Sequence, residues 1–185
     1  LDETTKTEYK AQIKPTGTLG NGIFVKMETN RGIVLLRMYY KQVPYTVANF
    51  VGLAEGTREW KDPKTGENKK SNFFDGLKFH RVIPNFMIQG GDPNTKGDDR
   101  SQYGRGGNAA KFFGVGVKND STTWNIPAEF NDLKHKHGIL SMARSNHPNS
   151  GGSQFFVCAG DTSHLDGKYT VSGQAIEAIM SLIKL

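Results

Sequence analysis

The sequence predicts an all-β domain with two helices, built as an antiparallel barrel or sandwich. Three observations carry this. Short apolar runs bounded by Gly, Pro and Asn recur along the chain. Only two segments hold helical spacing. Both of these lie beside strands instead of alternating with them, which argues against a doubly wound parallel sheet.

The elements follow in order. Residues 1–20, opening LDETTKTEYK, are polar and without periodicity, and read as a flexible arm ahead of one domain over 21–185. IFVKMET, a turn at Arg31-Gly32 and IVLLRMYY form a predicted hairpin. PYTVANFVGLAEG sets Val47, Phe50, Val51 and Ala54 at helical spacing, with Pro44 suited to the first turn and Gly56 to the stop. DPKTGENKK, residues 62–70, is a turn-rich insertion. FHRVIP and FMIQGG read as strands flanking Pro84-Asn85, and a glycine-rich stretch runs from Asp92 to about Lys118. IPAEF, GILSMA and SQFFVCA are further strand candidates. QAIEAIMSLIKL, residues 174–185, is the second predicted helix.

Composition narrows the function classes. A chain of 185 residues fits one domain with a full core. No apolar run approaches the roughly 18 residues that a membrane-spanning helix needs, so no membrane partner is expected. Cys158 is the single cysteine, which excludes an intrachain disulfide; its apolar setting, FFVCA, predicts a buried, inert thiol. The start at Leu1 reads as a processed or trimmed product. A soluble protein is expected, either exported (periplasmic or secreted) or cytoplasmic. The net charge of +6 is spread out, and its densest cluster, Arg58 to Lys70, also holds Glu59, Asp62 and Glu67. Nucleic acid is therefore not an expected partner, although an accessory role there is a rival that salt-dependent binding would reveal.

Short motifs are mostly bland. GRGG at 104–107 lacks the Gly-Lys-Ser/Thr ending of a phosphate loop and reads as a tight loop, with Gly104 open to close approach by a ligand backbone. His135 and His137 have no third ligand nearby, so no metal is expected. His80 reads as a hydrogen-bonded core histidine. Ser153, in GGSQF, breaks the GxSxG pattern. A dispersed Ser–His–Asp set stays open, because its members need not be sequence neighbours.

Arg81 stands out inside an apolar run, where a buried guanidinium is costly without a partner. A structural ion pair is the plain reading. Strand alternation puts Gln154 and Phe156 on one face and Phe155 and Val157 on the other; Met87 and Gln89 also share a face. Arg81, Gln89 and Gln154 thus accompany Phe86, Met87 and Phe156. A few polar groups converging on an apolar patch is the usual make-up of a ligand site. None is a good nucleophile, which points to a reaction without a covalent intermediate, or to binding alone.

These residues carry a resemblance. FDGLKFHRVIPNFMIQGGDP, GILSMARS, GGSQFFVCA and HLDGKYTVSG, with VPYTVANFVGLAEG, resemble the cyclophilins, a family of peptidyl-prolyl cis-trans isomerases. The resemblance implies a closed eight-stranded antiparallel β-barrel capped by a helix at each end, with the site in a groove on its outer face. It implies rotation about X-Pro bonds in the service of protein folding, with no covalent intermediate, cofactor or metal. Proline-containing peptides and unfolded proteins are the implied partners, and a monomer the implied state. Carried over by position, Arg81, Phe86 and Gln89 are catalytic. Met87, Phe156 and Leu165 line the proline pocket with Phe86, Gln154 adds a polar contact, and His80, Gly104 and Ala143 line the groove.

Departures from the family pattern carry their own expectations. His164 stands where many members have tryptophan, which predicts reduced affinity for cyclosporin. Arg144 and Ser145 replace a common Asn-Ala, at a place where backbone groups make the contact. Tyr169 replaces a frequent histidine at the rim. The loops at 58–72 and 94–107 are long. The chain ends within the expected second helix, so the final barrel strand is expected to be missing, through truncation or replacement by another segment. A proline-peptide binding module without turnover is the closest rival.

Overall fold

The computed structural model of the chain describes residues 20–178. Strand β1 (Ile23–Thr29) pairs antiparallel with β2 (Gly32–Met38). Thr29 faces Gly32, so the turn is Asn30-Arg31, one residue earlier than the sequence suggested. Thr29 closes it by accepting from the Arg31 N–H and donating to the Gly32 carbonyl.

Helix α1 (Pro44–Ala54) begins at the predicted proline. Val43 offers no side-chain cap. Glu129 does so from a distance: its carboxylate accepts from the N–H groups of Tyr45 and Thr46 at 3.1 and 2.7 Å. An acidic group there also suits the positive end of the helix dipole. This role explains why IPAEF is not the strand the sequence suggested. The segment bends to deliver Glu129, and only Ile126 makes a bridge, to Gly151.

The 62–70 insertion is framed by a two-stranded ribbon, β3 (Trp60–Lys61) with β4 (Asn68–Lys69). Then come β5 (Arg81–Ile83), β6 (Met87–Gly90), β7 (Ile139–Met142), β8 (Phe155–Cys158) and β9 (Val171–Ala178). Asn85 makes the β5–β6 turn possible by taking a positive φ of 59°, which asparagine tolerates better than most residues.

The main sheet has seven strands in the order β1-β2-β9-β7-β8-β6-β5. This corrects the expected closed eight-stranded barrel capped by two helices. Among the described residues the sheet is open, because β1 pairs only with β2 and β5 only with β6. Lys26 and Glu28 form an ion pair on the β1 edge, the kind of charge that blunts edge-to-edge pairing. There is also one α-helix instead of two among these residues. The predicted second helix is overturned over 174–178, where the chain is strand β9, hydrogen-bonded between β2 and β7. Two flanking ladders outweigh a helical pattern in so short a stretch. Residues 179–185 of that prediction, and residues 1–19 of the N-terminal arm, lie outside the described residues.

Helix α1 covers one face of the sheet. Val47 and Phe50 pack with Leu36, Ile88, Leu140, Phe155 and Val157. Burying each such side chain contributes about 1.5–3 kcal/mol. The opposite face carries a separate cluster of Met87, Ile139, Phe156, Cys158 and Val171.

Candidate functional site

Strand register builds the site. Arg81 faces Gln89 across β5–β6, Gln89 faces Phe156 across β6–β8, and Phe156 faces Ser141 across β8–β7. Residues paired across neighbouring strands project to the same side of a sheet. One crosswise row therefore carries Arg81, Gln89, Phe156 and Ser141. A parallel row carries Ile83, Met87 and Cys158. Phe86, Ala143, Leu165 and Tyr169 pack against this cluster from the surrounding loops.

Arg81 is exposed. The buried guanidinium suggested by its apolar neighbours does not exist, and no desolvation cost arises. Nor does it make an ion pair among the described residues: its polar contact is a long one, Nη1 donating to Gln89 Oε1 at 3.5 Å. From there a relay runs along the sheet face to the 104–106 loop. Gln89 Nε2 donates to Gln154 Oε1 at 2.9 Å, and Gln154 Nε2 donates to the carbonyls of Gly104 and Gly106 at 3.0 and 2.8 Å. Asp92, fully buried, holds the same loop by accepting from the Gly104 N–H and from the Asn94 N–H. Gly104 takes φ +86°, a conformation that disfavours any side chain. Asp92 was not singled out in the sequence; only its capping pattern, Asp-Pro-Asn ahead of a tight turn, hinted at it.

His80 departs from expectation. Both ring nitrogens are buried and neither makes a well-aligned hydrogen bond among the described residues, although Gln154 and the Lys78 backbone lie close by. Burial pushes its pKa down, against the opposing pull of Asp92.

The loop over 162–166 forms a wall. Its short 3-10 turn, Ser163–Leu165, presents His164 and Leu165. The His164 ring stacks on Phe86, with centroids 5.5 Å apart. Arg144 leaves the end of β7 and lies over the Tyr169 ring at 4.5 Å, its guanidinium donating to the carbonyls of Lys168, Ser145 and Asn146. Ser145 lies beside it on the exposed rim. The relay, the apolar cluster and the ring contacts join twelve of the fourteen predicted positions; Ser145 meets them only through its carbonyl, which accepts from Arg144, and His80 only through its backbone N–H, which donates to the Gln89 carbonyl.

A Ser–His–Asp set does assemble, though not around Ser153, whose buried hydroxyl donates to the Gly91 carbonyl. Its members are Ser141, His135 and Asp166. His135 Nδ1 lies 3.0 Å from Asp166, and Nε2 lies 2.9 Å from Ser141 Oγ. Ser141 is fully buried, its Oγ also 2.9 Å from the Thr170 carbonyl. A hydroxyl so enclosed cannot attack a substrate carbonyl, so hydrolysis through this set is ruled out. Cys158 is also fully buried, and burial pushes its thiol pKa up, leaving no thiolate nucleophile.

Comparison with known proteins follows the same lines. Residues 24–185 match the family model described as "Cyclophilin type peptidyl-prolyl cis-trans isomerase/CLD". A probable peptidyl-prolyl cis-trans isomerase A of Mycobacterium leprae is 36% identical over 162 residues, covering 88% of this chain and 78% of that protein. A peptidyl-prolyl cis-trans isomerase of Synechococcus elongatus is 39% identical over 148 residues, covering 80% and 77%. Among solved structures, a cyclophilin-type isomerase of Cryptosporidium parvum, crystallised in the presence of the dipeptide Ala-Pro, aligns with a TM-score of 0.65 at 28% identity, covering 86% of this chain and 82% of its own.

Proposed function

We propose a residue-level mechanism for a chain that belongs to the cyclophilin-type peptidyl-prolyl cis-trans isomerase family and that catalyses rotation about X-Pro peptide bonds. Rotation is slow because it breaks amide resonance, with a barrier of roughly 18–20 kcal/mol. Twisting the bond localises the lone pair on the proline nitrogen, which becomes a better hydrogen-bond acceptor. A guanidinium is rigidly forked and stays charged, so it donates there without proton transfer. This contact is stronger in the twisted state than in either planar isomer, which is the requirement for lowering the barrier. A reduction of about 7 kcal/mol corresponds to roughly a 10⁵-fold acceleration.

Arg81 is the donor in this reading. Phe86, Met87, Phe156 and Leu165 hold the proline ring, with Ala143 beside them. Gln89 orients Arg81, and Gln154 with the backbone at Arg144 holds the substrate chain. His80, Gly104, Ser145, His164 and Tyr169 complete the groove. No residue forms a covalent intermediate. The observation that carries the reading is the relay from Arg81 through Gln89 and Gln154 to the 104–106 backbone, set beside an apolar wall. The Ala-Pro dipeptide named for the Cryptosporidium structure supports proline-containing peptides as the ligand class; unfolded chains offering exposed X-Pro bonds are the natural clients. His164 presents an imidazole where the larger indole is common, so cyclosporin binds more weakly here.

Exchange NMR of a short X-Pro peptide tests this. Fast cis-trans exchange with the original chain, lost with Arg81→Ala, supports the assignment. Unchanged exchange with Arg81→Ala overturns it, and binding without faster exchange in the original chain makes the groove a docking site only.

A further inference from the structure

We propose that His135 and Asp166 are positioning residues that clamp the 162–166 wall of the groove against its floor at Phe156. The inference rests on the proline-pocket reading above.

His135 is fully buried, and it grips both ends of the wall segment. At the leading end its carbonyl accepts from the Thr162 N–H at 2.8 Å and from Thr162 Oγ1 at 3.2 Å. At the trailing end its backbone N–H and its ring Nδ1 both meet Asp166 Oδ1, at 2.8 and 3.0 Å. The residues held between these two grips are Ser163, His164 and Leu165, two of which line the proposed groove. The same imidazole stacks behind Phe156, with centroids 6.0 Å apart and planes 16° from parallel. Its Nε2 is fixed by Ser141, the residue that faces Phe156 across the sheet. Tyr169 closes the cluster edge-on to both rings. One side chain therefore couples the wall to the floor.

The hydrogen bonds balance. The Asp166 carboxylate only accepts, so Nδ1 carries a proton. With the ring neutral, Nε2 accepts the single Ser141 hydroxyl proton, and the Thr170 carbonyl, 2.9 Å from the same Oγ, keeps the Met142 N–H as its donor. The carboxylate that closes the clamp is held in its charged form by the His135 N–H. A network this complete fixes one geometry instead of several, and a pocket wall held ready for its ligand spares the ordering cost that binding would otherwise carry.

Asp166→Ala opens the trailing grip without altering the identity of any side chain assigned to the pocket. The expected result, by exchange NMR and peptide titration, is a KM and a peptide Kd raised about 10-fold with kcat changed less than about 3-fold. Asp166→Asn restores both, since its Oδ1 still accepts the two N–H groups. Should Asp166→Ala not fold, Thr162→Val loosens the leading grip at constant shape and is expected to raise KM about 3-fold. A folded Asp166→Ala, or in its place Thr162→Val, with unaltered KM and Kd overturns the clamp. So does failure of Asp166→Asn to restore them. If the original chain neither binds the peptide nor speeds its exchange, the proline-pocket reading falls and the clamp falls with it.

Discussion

Two rows of residues, one position apart along the same strands, behave as different materials. Val82, Ile88, Val157 and Leu140 face one another across β5, β6, β8 and β7; from Ile88 onward they lie under α1 in a buried apolar cluster. Arg81, Gln89, Phe156 and Ser141 form the adjacent row and look the other way. That second row mixes a cation, an amide relay and an aromatic wall, and it is open at the Arg81 end. Because side chains alternate, a strand buries a core with every second residue and leaves the others for chemistry. Shifting the register by one residue would exchange core and site, so the pairing that stabilises the fold also aligns the relay.

Reciprocal substitutions separate the two rows most visibly. Arg81→Ala is expected to lower kcat/KM by about 10²–10³-fold, with no measurable change in Tm because the side chain is exposed. Arg81→Lys recovers little, since lysine lacks the planar fork. Ile88→Ala is the mirror case: about 2–5 kcal/mol of stability is lost, read by urea unfolding, while kcat/KM of the folded fraction moves less than about 3-fold. A large rate loss in Ile88→Ala at full folding would show that the two rows are not separable.

Gln154→Leu cuts the relay at its centre. The carbonyls of Gly104 and Gly106 lose their donor and Gln89 loses its acceptor. An approximately 10-fold fall in kcat/KM is expected, alongside about 1–2 kcal/mol of stability; a fall in stability alone would reduce the relay to a structural brace.

A smaller effect concerns acid. Burial depresses the pKa of both His80 and His135 below the ordinary histidine value. Such groups stay neutral in the fold while the unfolded chain takes up protons, so stability is full above the ordinary value near 6.5 and is lost as pH falls toward the depressed one. Asp166 is depressed as well, chiefly by the His135 N–H. Its contribution is present above the ordinary carboxylate range and lost as pH falls through the folded value, in a lower window. Tm measured from pH 7 to 5 should therefore decline, and His135→Gln should make that decline shallower. An unchanged slope would assign the effect to His80.

The smallest change is at the rim. His164→Trp enlarges the ring stacked on Phe86 and is expected to tighten cyclosporin about 3- to 10-fold by titration, in line with one improved aromatic contact.

Much of this was legible in the chain alone. Alternation around Gln89 and Gln154 put the polar and apolar site residues on a shared face, and Pro44 with Gly56 bounded α1. Local pattern also misled. QAIEA carries helical spacing, yet hydrogen bonds from β2 and β7 hold it as a strand. Arg81, in an apolar run, looked like a buried charge and is a surface one. Glu129 capping α1, Asp92 bracing the 104 loop and His135 gripping the 162–166 wall each act across 12 or more positions, where no spacing rule reaches. The sequence by itself determined that a few polar groups and an apolar set share one sheet face, because strand periodicity and side-chain chemistry are local; proline as the ligand came from the family resemblance alone. Tertiary structure alone decided the number of strands, the open sheet edges and the braces behind the groove, because each depends on which distant backbone group satisfies a hydrogen bond.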